Sequence, residues 1–235
     1  FIDIAPGTTT AGIGRQLAEA GVVEDQRTFR VALWRSGRDR LLQAGEYRFT
    51  ESASALDVID VLARGQVHLR TVTFPEGLTR WEMAEVFGRS EFGVAEEFLA
   101  ASERADLVED LDPDATDLEG YLFPETYALP RGATADDLVE AMLAQFRWTF
   151  DDALLAQAAE QEMTVRQVVT LASLIQRETG RDDERPIVSA VYTNRLHRRM
   201  PLQCDPTVIY ALQLDGLYDG NLTRDNLRYD SPYNT

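Results

Sequence analysis

Lysine is absent from this chain of 235 residues, so all 23 of its Lys+Arg positions are arginine. Against them stand 40 aspartates and glutamates, for a formal net charge of -17. That excess of acid excludes nucleic acid or an anionic membrane surface as the main partner, and reads first as a solvated acidic surface. Cysteine is limited to Cys204, which excludes an internal disulfide and a cysteine-based zinc site but leaves the redox compartment open. The two histidines, His68 and His197, lie far apart, and His197 sits in the basic stretch Arg195–Arg199 as a surface residue would. Neither a metal nor a cofactor is expected. No apolar run reaches the roughly 18 residues of a membrane-spanning helix. No signal peptide and no initiator Met are visible at Phe1, so the chain reads as the excised soluble part of something longer.

What is present is ample for folding: 44% of residues are hydrophobic, enough for one large domain or two modest ones. Phe1–Ala5 alternates as a strand, and Pro6-Gly7 breaks it. Thr10 to Ala20 reads as a helix stopped at Gly21, and Asp25 to Ser36 as a second with Phe29, Leu33 and Trp34 at helical spacing. Gly45–Thr50 is a short strand, and Ser52 or Ser54 caps a helix ending near Gly65. This order is that of LysM carbohydrate-binding modules, and it is also a common small α+β unit. Val67–Phe74, Pro75-Glu76-Gly77 and the capping box Thr79-x-x-Glu82 repeat the grammar, by weak internal duplication or convergent turn chemistry. Helices follow to about Leu107, and residues 109–117 form an acidic loop around Pro113. Thr134-x-x-Asp137 opens a helical stretch to about Met163, with a possible break near Trp148–Asp152. Thr164-x-x-Gln167 is another capping box, for a helix to about Glu178 with Gly180 placed for a left-handed cap. Pro186 suits the first turn of a helix to about Arg199. Pro201–Asp205 reads as extended, and Pro206 opens a short helix through Ala211.

The chemistry points to the helix from Val165 to Glu178. Val165, Val168, Val169, Leu171, Ala172, Leu174 and Ile175 cover more than half of its circumference, so the helix should be mostly buried. Gln176 and Glu178 both fall within that apolar arc. Either the helix frays and both face solvent, or it presents a polar group into a groove. A desolvated carboxyl there would hold its proton near neutrality and could donate it to a leaving oxygen, as glycoside cleavage requires. On that reasoning Glu178 is a candidate acid; Gln176, an amide, is not. Tyr121 and Phe123 are aromatic faces for a sugar or ordinary core residues. Gln203, Asp205 and Thr207 flank a strand-to-helix junction, where Asp205 is also a natural N-cap.

Six segments in order carry a resemblance: Leu118–Tyr127 (LEGYLFPETY), Leu171–Thr179 (LASLIQRET), Glu184-Arg185, Val191–Leu196 (VYTNRL), Met200–Tyr210 (MPLQCDPTVIY) and Asp230–Thr235 (DSPYNT). Together they resemble the endolytic murein transglycosylases, the MltG/YceG-like family, over nearly the whole chain. The resemblance implies an α+β fold: a small LysM-like subdomain at residues 1–66, then a mostly helical α+β catalytic domain at 67–235. It also implies a continuation past Thr235 into a Gly-Leu-Pro-Pro segment. An N-terminal anchor is implied too: a single-pass protein of the cell membrane, with its catalytic domain on the extracytoplasmic side. The implied substrate is the peptidoglycan glycan strand, and the implied partners are penicillin-binding synthases whose nascent strands would be ended.

The implied reaction cleaves the MurNAc–GlcNAc β-1,4 bond without water. One glutamate, the first of a Ser-x-x-Glu-x-Glu pattern, protonates the bridging oxygen. It then acts as base while the muramoyl 6-hydroxyl closes onto the anomeric carbon, leaving a 1,6-anhydroMurNAc end. Here the pattern reads Ser173-Leu174-Ile175-Gln176-Arg177-Glu178, so the catalytic position is Gln176 and this copy is expected to be inactive. Such a glutamine is engineered or that of a natural inactive homologue; the intact neighbouring motifs favour engineering. Glu119, Tyr121, Phe123, Glu178, Asn194, Gln203, Asp205, Thr207, Tyr233 and Asn234 are implied to bind substrate. The rival readings are a non-catalytic peptidoglycan-binding protein and an ordinary hydrolase using Glu178.

Overall fold

Alternation decides the first strand: Ile2 and Ile4 are buried, and Asp3 between them is exposed. In chain order the elements are β1 (Ile2–Ile4), α1 (Thr10–Glu19), α2 (Gln26–Ser36), β2 (Gly45–Tyr47), α3 (Ala55–Ala63), β3 (Leu69–Thr73), α4 (Arg80–Gly88), α5 (Ala95–Ser102), β4 (Thr126–Pro130), α6 (Ala135–Thr149), α7 (Asp152–Glu160), α8 (Val165–Glu178), α9 (Arg185–His197) and α10 (Asp205–Leu214). Single 3-10 turns lie at Ala105–Val108 and Asn226–Arg228. The computed structural model describes residues 1–234; Thr235, the last residue of the DSPYNT segment, lies outside them. The class is mixed α and β, mostly helical, with two small antiparallel sheets among the described residues.

The chain divides into two compact units. The first comprises Phe1–Phe74, Ala84–Phe98 and Thr126–Ala141. In it β1 and β2 pair antiparallel, Ile2 opposite Tyr47 and Ile4 opposite Gly45. Thr9, Asp25 and Ser54 cap α1, α2 and α3 by accepting from free first-turn N–H groups. Leu17, Phe29, Leu33, Tyr47, Val58, Ile59 and Leu62 form the core with Ile2 and Ile4. Gly14 is required there, because a Cβ would stand 2.9 Å from the ring of Phe29.

β3 and β4 form the second ladder, from Leu69 opposite Pro130 to Thr73 opposite Thr126. β4 is not foreseen by the sequence reading, which leaves 126–130 unassigned. Glu46 of β2, only 5% exposed, accepts from Arg70 of β3 at 3.1 Å and from Arg131, just past β4, at 3.1 Å. Burial opposes its ionisation, but the two guanidiniums prevail and hold the carboxyl below the usual range.

The second unit comprises Pro75–Met83, Leu99–Glu125 and the chain from Met142 onward. Asp151 caps α7, and Thr164 with Gln167 forms the expected capping box of α8. Leu174 packs with Tyr192 and Cys204, flanked by Leu171, Ile175, Val188 and Leu202. Four details differ from expectation. Only Val165 and Leu174 of α8 are buried, because the packing around α8 covers part of its apolar arc and leaves Val168, Val169, Leu171 and Ile175 half-buried and Ala172 exposed. α8 ends on Thr179 in extended conformation (φ -140), and Gly180 makes no left-handed cap. Gln203 interrupts the extended run with φ 52. α10 runs on to Leu214, its N-cap is Cys204, and Asp205 is already the first helical residue, so Asp205 is not an N-cap.

Candidate functional site

The segment Pro75–Glu82 organises the site, and all residues named below belong to the second unit. Gly77 adopts φ 78, a left-handed conformation natural to glycine, and turns the chain so that Glu76 faces the last turn of α8. There the Gln176 amide donates to Glu76 Oε2 at 2.6 Å. A Cβ on residue 77 would lie 3.8 Å from Gln176 Oε1 and 4.0 Å from Arg177 Nε, so both side chains border the turn. Gln176 is half-buried, neither sealed in the core nor frayed into solvent.

Next comes the N-terminus of α4. Glu82 Oε2 accepts from the Thr79 N–H at 2.8 Å, and Thr79 Oγ1 accepts from the Glu82 N–H at 3.4 Å, closing the expected capping box. The free N–H of Arg80 donates to Glu119 Oε2 at 3.0 Å. Burial pushes the Glu119 carboxyl up; the Arg80 N–H opposes this, and Asp117 and Glu82 add to it. Glu119 therefore keeps a proton more readily than an ordinary glutamate. Its own N–H donates to Asp117 at 2.8 Å, and Gly120 must be glycine because φ is 86 and a Cβ would press Val169 at 3.2 Å.

An aromatic and cationic wall adjoins these acids. The Arg80 guanidinium lies 4.7 Å over the Trp81 ring, and its buried Nε has no hydrogen-bond partner among the described residues. Trp81 meets Tyr210 at 6.4 Å between centroids, and Tyr210 meets Tyr233 edge-on at 5.3 Å. Burial, then the charge of Glu119, raise the Tyr210 phenol, so it remains a neutral donor. Tyr233 is 45% exposed.

Of the residues singled out from sequence, Gln176, Glu119 and Tyr233 belong to this network. Tyr121 does not offer a face: it is 3% exposed, its ring packs edge-on to Phe146 at 5.3 Å, and its hydroxyl donates to Asp112 at 2.5 Å. Phe123 is half-buried beside it. Glu178 is exposed and accepts from Tyr192 at 3.0 Å, so it is not the desolvated acid of the sequence argument. Asn194 and Asp205 are exposed; Gln203 is exposed and accepts from Arg195 at 3.5 Å. Thr207 donates to Cys204 O at 2.9 Å, and Asn234 donates to Leu227 O and Tyr229 O, both local structural bonds. Glu76, Arg80, Trp81 and Tyr210 also belong to the network, and the sequence singles out none of them as site residues. Pro75-Glu76-Gly77 and Thr79-x-x-Glu82 were visible only as turn and cap signals, and no local pattern says what a turn will face. Among the described residues, no cluster of His, Cys, Asp and Glu could hold a metal ion.

These features define an α+β protein whose site is built from carboxyls at a helix N-terminus, an amide at a helix end and a wall of aromatics. The chain belongs to the YceG-like family, which it matches over residues 2–235. It is similar to an endolytic murein transglycosylase of Streptococcus pneumoniae serotype 2, at 30% identity over 99% of this chain and 47% of that one. An endolytic murein transglycosylase of Bacillus subtilis is 26% identical over 100% of this chain and 68% of that one. The chain thus spans about half the length of the pneumococcal relative. A crystal structure of a yceG-like protein from Listeria monocytogenes shares the fold, with a TM-score of 0.61 at 23% identity over 99% of this chain and 81% of that one.

Proposed function

We propose that this protein is built as an endolytic lytic transglycosylase of peptidoglycan, with position 176 as its single acid and base. The observation that carries the reading is the side chain of Gln176: half-buried, at the end of α8, hydrogen-bonded to Glu76. A glutamic acid of the same shape there could hand a proton to the oxygen between MurNAc and GlcNAc. It could then accept one from the muramoyl 6-hydroxyl as that oxygen closes on the anomeric carbon. No external water needs activation, so one carboxyl suffices where a hydrolase uses two. Family membership and the names of the relatives support the same substrate class. Glu119 supplies a carboxyl, the neutral phenol of Tyr210 supplies a donor, and Trp81 and Tyr233 supply faces for sugar rings.

In this reading Gln176 makes the chain as given inactive, since an amide does not titrate at ordinary pH. It holds whether the glutamine is engineered or natural. The substrate puts the working site outside the cytoplasmic membrane. The function is to end nascent strands near the synthases, with anchoring by segments beyond this chain. Among the described residues, no helix is long and apolar enough to cross a membrane. The β1–α1–α2–β2 order supports a LysM-like glycan-holding role for residues 1–66. Incubating isolated glycan strands with the Gln176→Glu protein tests the proposal. Anhydro-ended fragments by mass spectrometry are expected from that variant and not from the chain as given. Gln176 itself favours a second reading, a non-catalytic peptidoglycan-binding protein. Tight strand binding with no products after Gln176→Glu would select it.

A further inference from the structure

Glu76 and Gln176 lie 100 residues apart and meet at 2.6 Å. We propose that Glu76 is a positioning residue: with a glutamic acid at 176, the two carboxyls share one proton, and the charge of Glu76 keeps the acid at 176 protonated until it meets the glycan. The inference rests on reading position 176 as the acid and base.

A glutamine matches the protonated form of glutamic acid in shape and in having a donor. Its amide N–H points at Glu76 Oε2, where an acid O–H would point. Remove that proton, and two carboxylates face each other at hydrogen-bond distance. Glu76 is exposed, so water screens the pair, but at this separation two carboxylates still repel and the pair titrates in two steps. Charges of both signs surround the pair, and the Arg177 guanidinium, whose Nε would lie 4.0 Å from a Cβ on residue 77, opposes the effect. Glu82 and Glu119, the latter beside Asp117, are further acids around the Pro75–Glu82 segment. The cations there are Arg80, which stacks on Trp81 and lies 3.8 Å from Asp117, and Arg177, whose Nη2 lies 4.0 Å from Glu82. Glu178 is turned to Tyr192. The placement of Glu76 follows from the left-handed turn at Gly77, where a Cβ would lie 3.8 Å from the Gln176 amide oxygen.

Proton and electron bookkeeping close over the cycle. The shared proton passes from the carboxyl at 176 to the glycosidic oxygen as that oxygen keeps the electrons of the broken C–O bond. Glu76 stays a carboxylate throughout. Its charge then makes the new carboxylate at 176 a stronger base for the 6-hydroxyl proton, and that transfer restores the starting state.

The test compares Gln176→Glu with Gln176→Glu/Glu76→Gln by carboxyl NMR titration and by the pH profile of anhydro-product formation. The acid at 176 should titrate above an ordinary glutamate in the first protein and fall back by about one pH unit in the second. The alkaline limb of kcat/KM should move to lower pH by the same amount, because the protonated form starts the reaction. Gln176→Glu/Glu76→Asp, which retracts the carboxylate by one methylene, should give a smaller shift and serves if the amide variant folds poorly. A residue 176 that titrates identically with Glu, Asp or Gln at 76 overturns the proposal. Product formation with an unmoved limb defeats the shared proton alone. A coupled titration without product leaves the pair standing and defeats the transglycosylase reading.

Discussion

Tyr121→Phe separates a scaffold role from a sugar-contacting one at the most conspicuous aromatic of the LEGYLFPETY segment. The substitution removes one hydroxyl and keeps the ring, so packing against Phe146 survives and no cavity opens. What is lost is a phenol O–H donated at 2.5 Å to Asp112, a carboxylate only 8% exposed. A buried hydrogen bond to a charged acceptor contributes about 1.5–3 kcal/mol. Asp112 keeps a second donor, Arg166 Nε at 2.6 Å, so it is not orphaned and the lower half of that range applies. The expected loss is about 1.5–2 kcal/mol, or a Tm lower by about 3–8 °C for a chain of this size. Thermal and urea unfolding read it directly, and strand binding, measured below the transition, should be unchanged. Unaltered stability with weakened glycan binding would refute the assignment of Tyr121 to the core.

Four further outcomes follow from the same geometry. Phe29→Ala, at the centre of the first unit, should cost about 3–5 kcal/mol in unfolding experiments. Gly77→Ala forces a side chain into φ 78; it should cost about 1–2 kcal/mol and, in a Gln176→Glu background, lower kcat more than it raises KM. The folded carboxyl of Glu46 is depressed, so its contribution is present above the unfolded value and lost as pH falls through the folded one. Glu46→Gln should therefore flatten the acid side of the stability profile, a result that denaturant midpoints at several pH values would check. Glu119 has the opposite sign: its carboxyl is raised, so its charged form burdens the fold as pH rises through the folded value. Glu119→Gln should remove that decline while Gln still accepts from Arg80.

Much of the fold was legible because its signals are local. Ser54, one of the two serines the sequence offers, Thr79 and Thr164 cap helices as read, since a short polar side chain before an apolar periodicity has little else to do. β4 was not legible: Thr126–Pro130 ends in proline, and it is a strand only because β3, over 50 residues earlier, supplies the ladder. The wheel of α8 misled for a related reason. An apolar arc measures what a helix could bury, whereas tertiary packing decides which stripe of it is covered. The site was half legible. Position 176 stood out by its motif, and Glu119 was carried by its segment. Glu76 could not be found, because the turn that aims it is local and the contact it makes is 100 residues away.

Digestion of purified glycan strands in heavy-oxygen water by the Gln176→Glu protein tests the central claim most directly. Mass spectrometry should find anhydro-ended fragments carrying no heavy oxygen at the new terminus, because the muramoyl 6-hydroxyl, not solvent, closes the reaction. Reducing ends labelled from the water, or intact strands after full refolding and binding controls, would contradict a lone acid and base at position 176.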